Sequence, residues 1–314
     1  MNYIIHNYYD VYNKNDAVFD PNAYSIGDDL AGGVCELRTA LGFKEHKLQT
    51  RDLYSDSDEI HGIIYQDYPT GREDELRANI EKGIKNYLII YESPMIKPDN
   101  YISENHVFFD KIFTWSDDLM TLGGKYRKIF WPVFFPEYIK FHDKTKHACM
   151  IACNKTSEHP HSMYQDRNTV IRYYNDQNLN GFDLYGHGWD NSLKCYKGTV
   201  KSKRQVMKDY KFVYCMENAR YNGYITEKPW DVWFSGSVPI YYNNRYFPEH
   251  TYIPFDLFRN MDELYDFLYD KADEYYEMYL DQISKWLLSS ESKLFNAKNF
   301  GYTIAMEMVG GKNV

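Results

Sequence analysis

Residues 210–242 read YKFVYCMENARYNGYITEKPWDVWFSGSVPIYY, from Tyr210 to Tyr242, and this stretch decides the fold. Lys211–Met216 is a short run of apolar, β-branched and aromatic residues, the length and composition of a strand. Glu217-Asn218 stops it, and a loop containing Gly223 follows. A helix is expected to begin near Thr226, whose hydroxyl can cap the first free N–H groups. Glu227 suits the positive end of a helix dipole, and Pro229 is tolerated in a first turn. Gly236 ends the helix, and Val238–Tyr242 is the next strand. This is a β-loop-α-β unit, the repeat of a parallel sheet. Such sheets bind ligands at the carboxyl ends of their strands, beside helix N-termini. Glu217, Asn218, Tyr224, Glu227 and Lys228 crowd that edge, and Lys228 is placed to clamp a diphosphate.

Working outward, strands and helices alternate along the chain. Strands are expected at Tyr3–His6, His46–Thr50, Ile60–Tyr65, Tyr87–Tyr91, Lys111–Thr114 and Lys128–Phe135, with helices at Leu30–Leu41 and Glu73–Lys85. A polar stretch, Pro136–Thr145, reads as a hinge between an N-terminal domain, residues 1–140, and a C-terminal domain, residues 141–314. Beyond it come a strand at His147–Cys153, a helix at Arg167–Asn175, the glycine turn Gly186-His187-Gly188, and a helical Lys201–Tyr210. Met261–Ser289 reads as one long helix, with Leu264, Phe267, Leu268, Tyr275, Met278, Tyr279 and Ile283 on its apolar stripe. The last helix is free to cross back onto the first domain. Periodicity alone gives an α/β fold in two halves.

The net charge of −9 and the scattered basic residues argue against a nucleic-acid partner. The N-terminus, MNYIIHNYYD, lacks the basic start and apolar core of a signal peptide, and no stretch approaches the ~20 apolar residues of a membrane span. Five cysteines without a CxxC pair suggest free thiols in a reducing compartment, so a cytoplasmic location is expected, with peripheral membrane contact left open. The 32 tyrosines each offer a flat face and a hydroxyl suited to sugars, although packing explains most tyrosines equally well.

The central stretch resembles the donor-binding motif of the α-1,3/1,4-fucosyltransferases, family 10 of the glycosyltransferases. Tyr210-Lys211-Phe212, Glu217-Asn218, Tyr224-Ile225-Thr226-Glu227-Lys228, Gly236 and Val238-Pro239 carry the likeness. The resemblance implies a GT-B fold, two Rossmann-like domains facing across a cleft, with the acceptor on the N-terminal side and a GDP-sugar on the C-terminal side. It also implies an inverting transfer of L-fucose from GDP-fucose to a hydroxyl of an oligosaccharide or glycan acceptor, with no metal essential to the chemistry. The pattern departs at Ile240-Tyr241-Tyr242-Asn243-Asn244, where the family has a further apolar pair and a glycine. Transfer of another GDP-sugar on the same fold, or a non-catalytic nucleotide-sugar-binding protein, therefore remains an alternative.

Such a transfer needs a base, positive charge for the departing diphosphate, and alignment of the reactants. Glu92, in Tyr91-Glu92-Ser93-Pro94 after an apolar strand, resembles the family's catalytic acid, although Ser-Pro is also an ordinary turn. Phe113-Thr114-Trp115-Ser116 resembles a second family stretch. Arg167, after a polar loop from Cys153-Asn154, matches a diphosphate-binding arginine, and also suits an exposed helix start. By the same likeness Lys228 contacts phosphate, Glu227 contacts ribose or sugar hydroxyls, and Tyr224, Glu217 and Asn218 shape the pocket. Glu217 serves equally well as a cap for loop N–H groups. Gly186-His187-Gly188 lacks the third glycine of a dinucleotide fingerprint. Asp56-Ser57-Asp58 spells a DxD metal motif but lies in a polar loop, and Cys149, Cys153, His147, His159 and His161 lack clear ligand spacing.

Overall fold

The computed structural model describes residues 1–23, 31–136 and 143–310. The chain forms two compact units, one of Met1–Phe134, Tyr221–Tyr224 and Leu294–Val314, the other of Phe135–Arg220 and Ile225–Lys293. Leu30, part of the expected first helix, and residues 137–142 of the expected hinge, with the boundary at 140, lie outside the described residues.

The first unit contains β1 (Asn2–Asn7), α1 (Gly32–Gly42), β2 (Lys47–Gln49), β3 (Ile60–Gln66), α2 (Glu73–Glu81), β4 (Lys85–Ile90), β5 (Lys111–Thr114), α3 (Asp117–Met120) and β6 (Tyr126–Lys128). Its six strands run in the order β2-β1-β3-β4-β5-β6, every pairing parallel. Both faces of the sheet are covered, so residues 63–65 of β3 and 87–90 of β4 are continuous apolar runs rather than alternating ones. On one face Val34, Leu37 and Leu41 of α1 join Ile5, Ile64 and Phe113. Phe300, Ile304 and Met308 of the C-terminal helix, Ala297–Val309, complete that core. Leu76 of α2 packs with Tyr65, Leu88 and Phe109 on the other face.

Two expectations fail here. The second helix ends at Glu81 rather than Lys85, because Gly83 turns left-handed at φ +74° and Lys85 already pairs in β4. The expected strand Lys128–Phe135 pairs only over Tyr126–Lys128, apart from one bridge between Val133 and Asn296. Pro132 has no N–H to continue the ladder.

The second unit contains β7 (Lys146–Ile151), α4 (Tyr164–Asp176), β8 (Phe182–Tyr185), α5 (Lys203–Met207), β9 (Tyr210–Tyr214), α6 (Lys228–Phe234), β10 (Val238–Tyr241), β11 (Ile253–Pro254), α7 (Met261–Asp266) and α8 (Tyr276–Leu288). The parallel order is β11-β10-β9-β7-β8. Chain progression reverses between β7 and β9, so the carboxyl ends of these two strands form a topological switch point, where open α/β sheets bind ligands.

The expected helix Lys201–Tyr210 shrinks to Lys203–Met207, since Tyr210 is recruited into β9. The expected helix Met261–Ser289 is broken. Leu264, Leu268, Ala272 and Tyr276 are all buried at four-residue steps. That spacing exceeds the 3.6 residues of an α-helical turn, and Phe267–Lys271 is π-helical, which keeps the row facing inward. Beyond the break Tyr275 and Met278 are exposed instead of lying on the stripe. The five cysteines are free thiols, and among the described residues no helix is long and apolar enough to cross a membrane.

Candidate active site

The chain leaving β9 is organised by Glu217. Its side chain is buried, and its carboxylate accepts from the Thr226 amide at 2.9 Å and from the Thr226 and Tyr241 hydroxyls. The Lys228 ammonium completes the set, 2.9 Å from Glu217 Oε2 and donating to Thr226 Oγ1 at 2.8 Å. The Thr226 hydroxyl therefore does not cap the helix as expected. It is consumed by a carboxylate nine residues earlier, and α6 starts at Lys228 without a side-chain cap. Burial works against the Lys228 charge, but the Glu217 and Glu227 carboxylates outweigh it and raise its pKa. Lys228 is thus a fixed cation beside the carboxyl end of β9.

Arg167 lies in the first turn of α4, which begins three residues earlier than the sequence suggests, at Tyr164. It is not an exposed helix-start arginine. Only 6 % of it is exposed, and Nη2 donates to the Met216 and Glu217 carbonyls at 2.7 Å each and to Asn218 Oδ1 at 3.1 Å. Asn218 is held in turn by its own carbonyl, which accepts from the Met163 amide. The loop Met216–Asn218 is therefore clamped from one side by Arg167 and from the other by Thr226 and Lys228.

Glu227 faces a second ionic group that the sequence reading did not single out. Lys203 bridges Glu227 Oε1 at 3.0 Å and the fully buried Asp231 at 3.1 Å, and Arg204 reaches Asp231 at 2.9 Å. Burial opposes ionisation of Glu227, yet Lys203 and Lys228 overcome it and hold the carboxyl well below the ordinary range. A hint lay in the sequence, because Asp231 sits four residues after Glu227 and therefore on the same helical face.

In the first unit, Glu92 follows β4 and is half-buried. Its backbone is tied on both sides. The Tyr91 and Glu92 amides donate to Asp67 Oδ1 at 2.8 and 3.0 Å, while the Tyr101 hydroxyl and the Trp115 indole donate to the Glu92 and Tyr91 carbonyls. Ser93 Oγ beside it is buried without a hydrogen-bond partner. Asp67 was missed by sequence reasoning. It sits at the end of β3 at φ +62°, is almost fully buried, and also accepts from Asn100 Nδ2 at 2.6 Å. Burial raises its pKa to about 6 against these three donors. The available signal was an acid directly after an apolar strand, the same cue that marked Glu92.

Tyr224 is also in the first unit, its ring centroid 4.6 Å from that of Trp115. The turn before it is pinned by Asp117, whose amide donates to the Asn222 carbonyl. Gly223, at φ +86°, leaves no room for a side chain, since a Cβ there would lie 2.5 Å from the Trp115 carbonyl oxygen.

The remaining sequence candidates resolve simply. Gly186 presses against the Ala152 backbone, so its missing side chain serves internal packing. Asp58 is turned into its own loop, accepting from Ser55, and Asp56 is fully exposed and ion-paired to Arg51. Cys149 is buried in β7, and burial pushes its thiol up. Among the described residues no three His, Cys, Asp or Glu side chains are grouped to hold a metal ion.

The two parallel α/β units, the second with a switch point and fixed cations beside its carboxyl edge, have the GT-B fold. Residues 141–301, just over half of the chain, match glycosyltransferase family 10 (fucosyltransferase), C-terminal region, and the chain belongs to this family. Over 73 residues it is 36 % identical to the α-(1,3)-fucosyltransferase FucT of Helicobacter pylori, a stretch covering 22 % of this chain and 15 % of that protein. A crystal structure of an α1,3-fucosyltransferase superposes with a TM-score of 0.61 at 16 % identity, covering 98 % of this chain and 90 % of that one. The same enzyme type solved with GDP-fucose gives 0.60 at 15 % identity, covering 100 % and 91 %. Anabaena HepE, solved with UDP-glucose, gives 0.60 at 8 % identity, covering 99 % and 100 %.

Proposed function

We propose that this protein transfers L-fucose from GDP-fucose to a hydroxyl of a glycan, with inversion at the anomeric carbon. The observation that carries the reading is the pair of fixed cations around the β9 loop. Lys228 pairs with the Glu217 carboxylate and Arg167 donates to the Glu217 carbonyl, so both are anchored on one residue before any ligand arrives. Preorganised charge of this kind stabilises a departing diphosphate without reorganisation during the reaction. Among the described residues the Arg167 hydrogen bonds leave from Nη2, and Nη1 and Nε are the atoms that would meet a phosphate oxygen. Glu227 is kept ionised by Lys203 and accepts from ribose or sugar hydroxyls, Asn218 lines the donor pocket, and a donor role for Tyr224 rests on the family resemblance.

In this reading Glu92, from the acceptor-side domain, takes the proton of the attacking hydroxyl. The acceptor oxygen bonds to the anomeric carbon as the bond to the diphosphate oxygen breaks, and its electron pair leaves with GDP. Lys228 and Arg167 supply the positive charge that a metal provides in other transferases, so the chemistry proceeds without one. The test is turnover of GDP-fucose on a glycan panel, with NMR of the product. An α-linked fucoside from the β-linked donor supports the reading, and a β-linked product contradicts it.

A second reading, transfer of a different sugar, is favoured by the departure at Tyr241-Tyr242-Asn243-Asn244. The Tyr241 hydroxyl donates to Glu217 at 2.9 Å, at the centre of the proposed donor site. A panel of GDP- and UDP-sugars separates the two readings.

A further inference from the structure

A pocket of about 450 Å³ lies wholly within the second unit, between the entry to α4, the end of β10 and the chain after β11. Its size is that of a small-molecule site. None of Glu217, Glu227, Lys228 or Arg167 lines it. Two successive tyrosines explain the separation. Tyr241 directs its hydroxyl to Glu217, whereas Tyr242 directs its own to Asp166 at 2.7 Å in the pocket wall. Neighbouring residues of an extended chain point to opposite sides.

The lining is polar but electrically balanced. It holds two arginines, Arg220 and Arg259, two acids, Asp166 and Asp256, and the imidazole of His161. Arg220 is paired with Asp256 at 2.6 Å, and Arg259 with Glu263 at 3.2 Å. Both arginines are thus committed to carboxylates, Arg220 within the pocket wall and Arg259 outside it. Asp256 spends its other oxygen on the Asn243 amide at 2.8 Å, so residues that depart from the family pattern build this wall. Carboxylates have further lone pairs to offer, and guanidinium groups further N–H donors. Against these polar groups stand the half-buried rings of Phe255 and Phe258. An uncharged pyranose has the matching chemistry, with an apolar C–H face for the rings and a rim of hydroxyls that both donate and accept.

We propose that this pocket is a carbohydrate subsite that takes an uncharged sugar residue of the glycan acceptor, remote from the hydroxyl that reacts. The proposal rests on the glycan-transfer reading for its role, but the binding is measurable without any donor. Binding of lactose, N-acetylglucosamine and glucuronic acid to the full chain is followed by saturation-transfer NMR and calorimetry. Two variants act from different elements: Phe255→Ala removes a ring, and Thr169→Trp fills the pocket from an exposed position on α4. GDP affinity is measured on each as a check on folding and on the donor site.

The expected result is binding of a neutral saccharide that weakens at least tenfold in both variants, with GDP affinity unchanged. With an active acceptor, KM rises by the same factor and kcat holds. The proposal is overturned if no neutral saccharide binds the unaltered protein at millimolar concentration, if only glucuronic acid binds, or if the variants leave saccharide affinity unchanged. It is equally overturned if the variants weaken GDP-fucose but not GDP, which would make the pocket the seat of the donor's own sugar. Failure of fucose transfer with saccharide binding intact would instead count against the donor reading alone.

Discussion

The Lys228 ammonium stands 2.9 Å from the Glu217 carboxylate, and both side chains are largely withdrawn from water. The contact joins the first residue of α6 to the loop after β9. Removing one partner of a buried ion pair leaves the other uncompensated and costs about 3–5 kcal/mol. Glu217→Gln is therefore expected to destabilise the protein by about 3 kcal/mol, near the lower end because Lys228 keeps some exposure and Glu227 at 3.8 Å. Urea unfolding measures this, and a change below about 1 kcal/mol, the size of a surface pair, would contradict the buried-pair reading.

The proposed base, Glu92, has its backbone fixed through its own amide, its own carbonyl and both backbone groups of Tyr91. Glu92→Gln keeps the shape and removes the base. Turnover is expected to fall about 10²–10⁴-fold with GDP affinity unchanged. Single-turnover kinetics with GDP-fucose make the comparison, and undiminished turnover would remove Glu92 from the mechanism.

Asp67 gives a pH signature. Its folded pKa is raised by burial to about 6, so the folded state binds this proton more tightly than the unfolded chain does. Stability from this group is greatest below the ordinary aspartate value and is lost as pH rises from about 4 to about 6, after which it is flat. A displacement of that size corresponds to about 3 kcal/mol. Asp67→Asn retains an oxygen for the Tyr91 and Glu92 amides and has no proton to lose. Subtracting its pH profile from that of the unaltered protein should isolate the decline, and parallel profiles would show that Asp67 does not titrate in this range.

Gly223 is required by both its backbone angle and its neighbour. Gly223→Ala adds left-handed strain of about 1–2 kcal/mol and a Cβ that collides with the Trp115 carbonyl. A loss of at least about 2 kcal/mol is expected, with weaker GDP binding if Tyr224, which follows directly, has its proposed donor role. Thermal melting with and without GDP checks both effects, and an unchanged midpoint would show that the turn relaxes freely.

The sheet elements were legible because their signals are local. Residues 63–65 and 87–90 are continuous apolar runs, and the Glu217–Lys228 stretch carries a long motif. What the sequence hid depends on partners distant along the chain. Thr226 has the residue type and position of a helix cap, but Glu217 takes its hydroxyl, and nothing within a helical turn reveals this. Arg167 reads as a polar helix start until the Met216 and Glu217 carbonyls of the loop after β9 appear around it. Asp67 and Lys203 matter only through what folding brings to them, namely the Tyr91-Glu92 amides and the Glu227–Asp231 pair. The break in Met261–Ser289 is a different case. Its four-residue apolar spacing is visible in the sequence, but it fits an ordinary helical stripe as well as the π-helical turn that forms.

Isothermal titration with GDP-fucose, GDP-mannose and UDP-glucose, in EDTA and on Lys228→Met beside the unaltered protein, tests the central claim most directly. GDP-fucose is predicted to bind without metal, more tightly than the other two, and to lose at least about tenfold in affinity when Lys228 is replaced, the equivalent of one charge-assisted hydrogen bond. Tighter binding of UDP-glucose, or GDP-fucose binding that ignores Lys228, would contradict it.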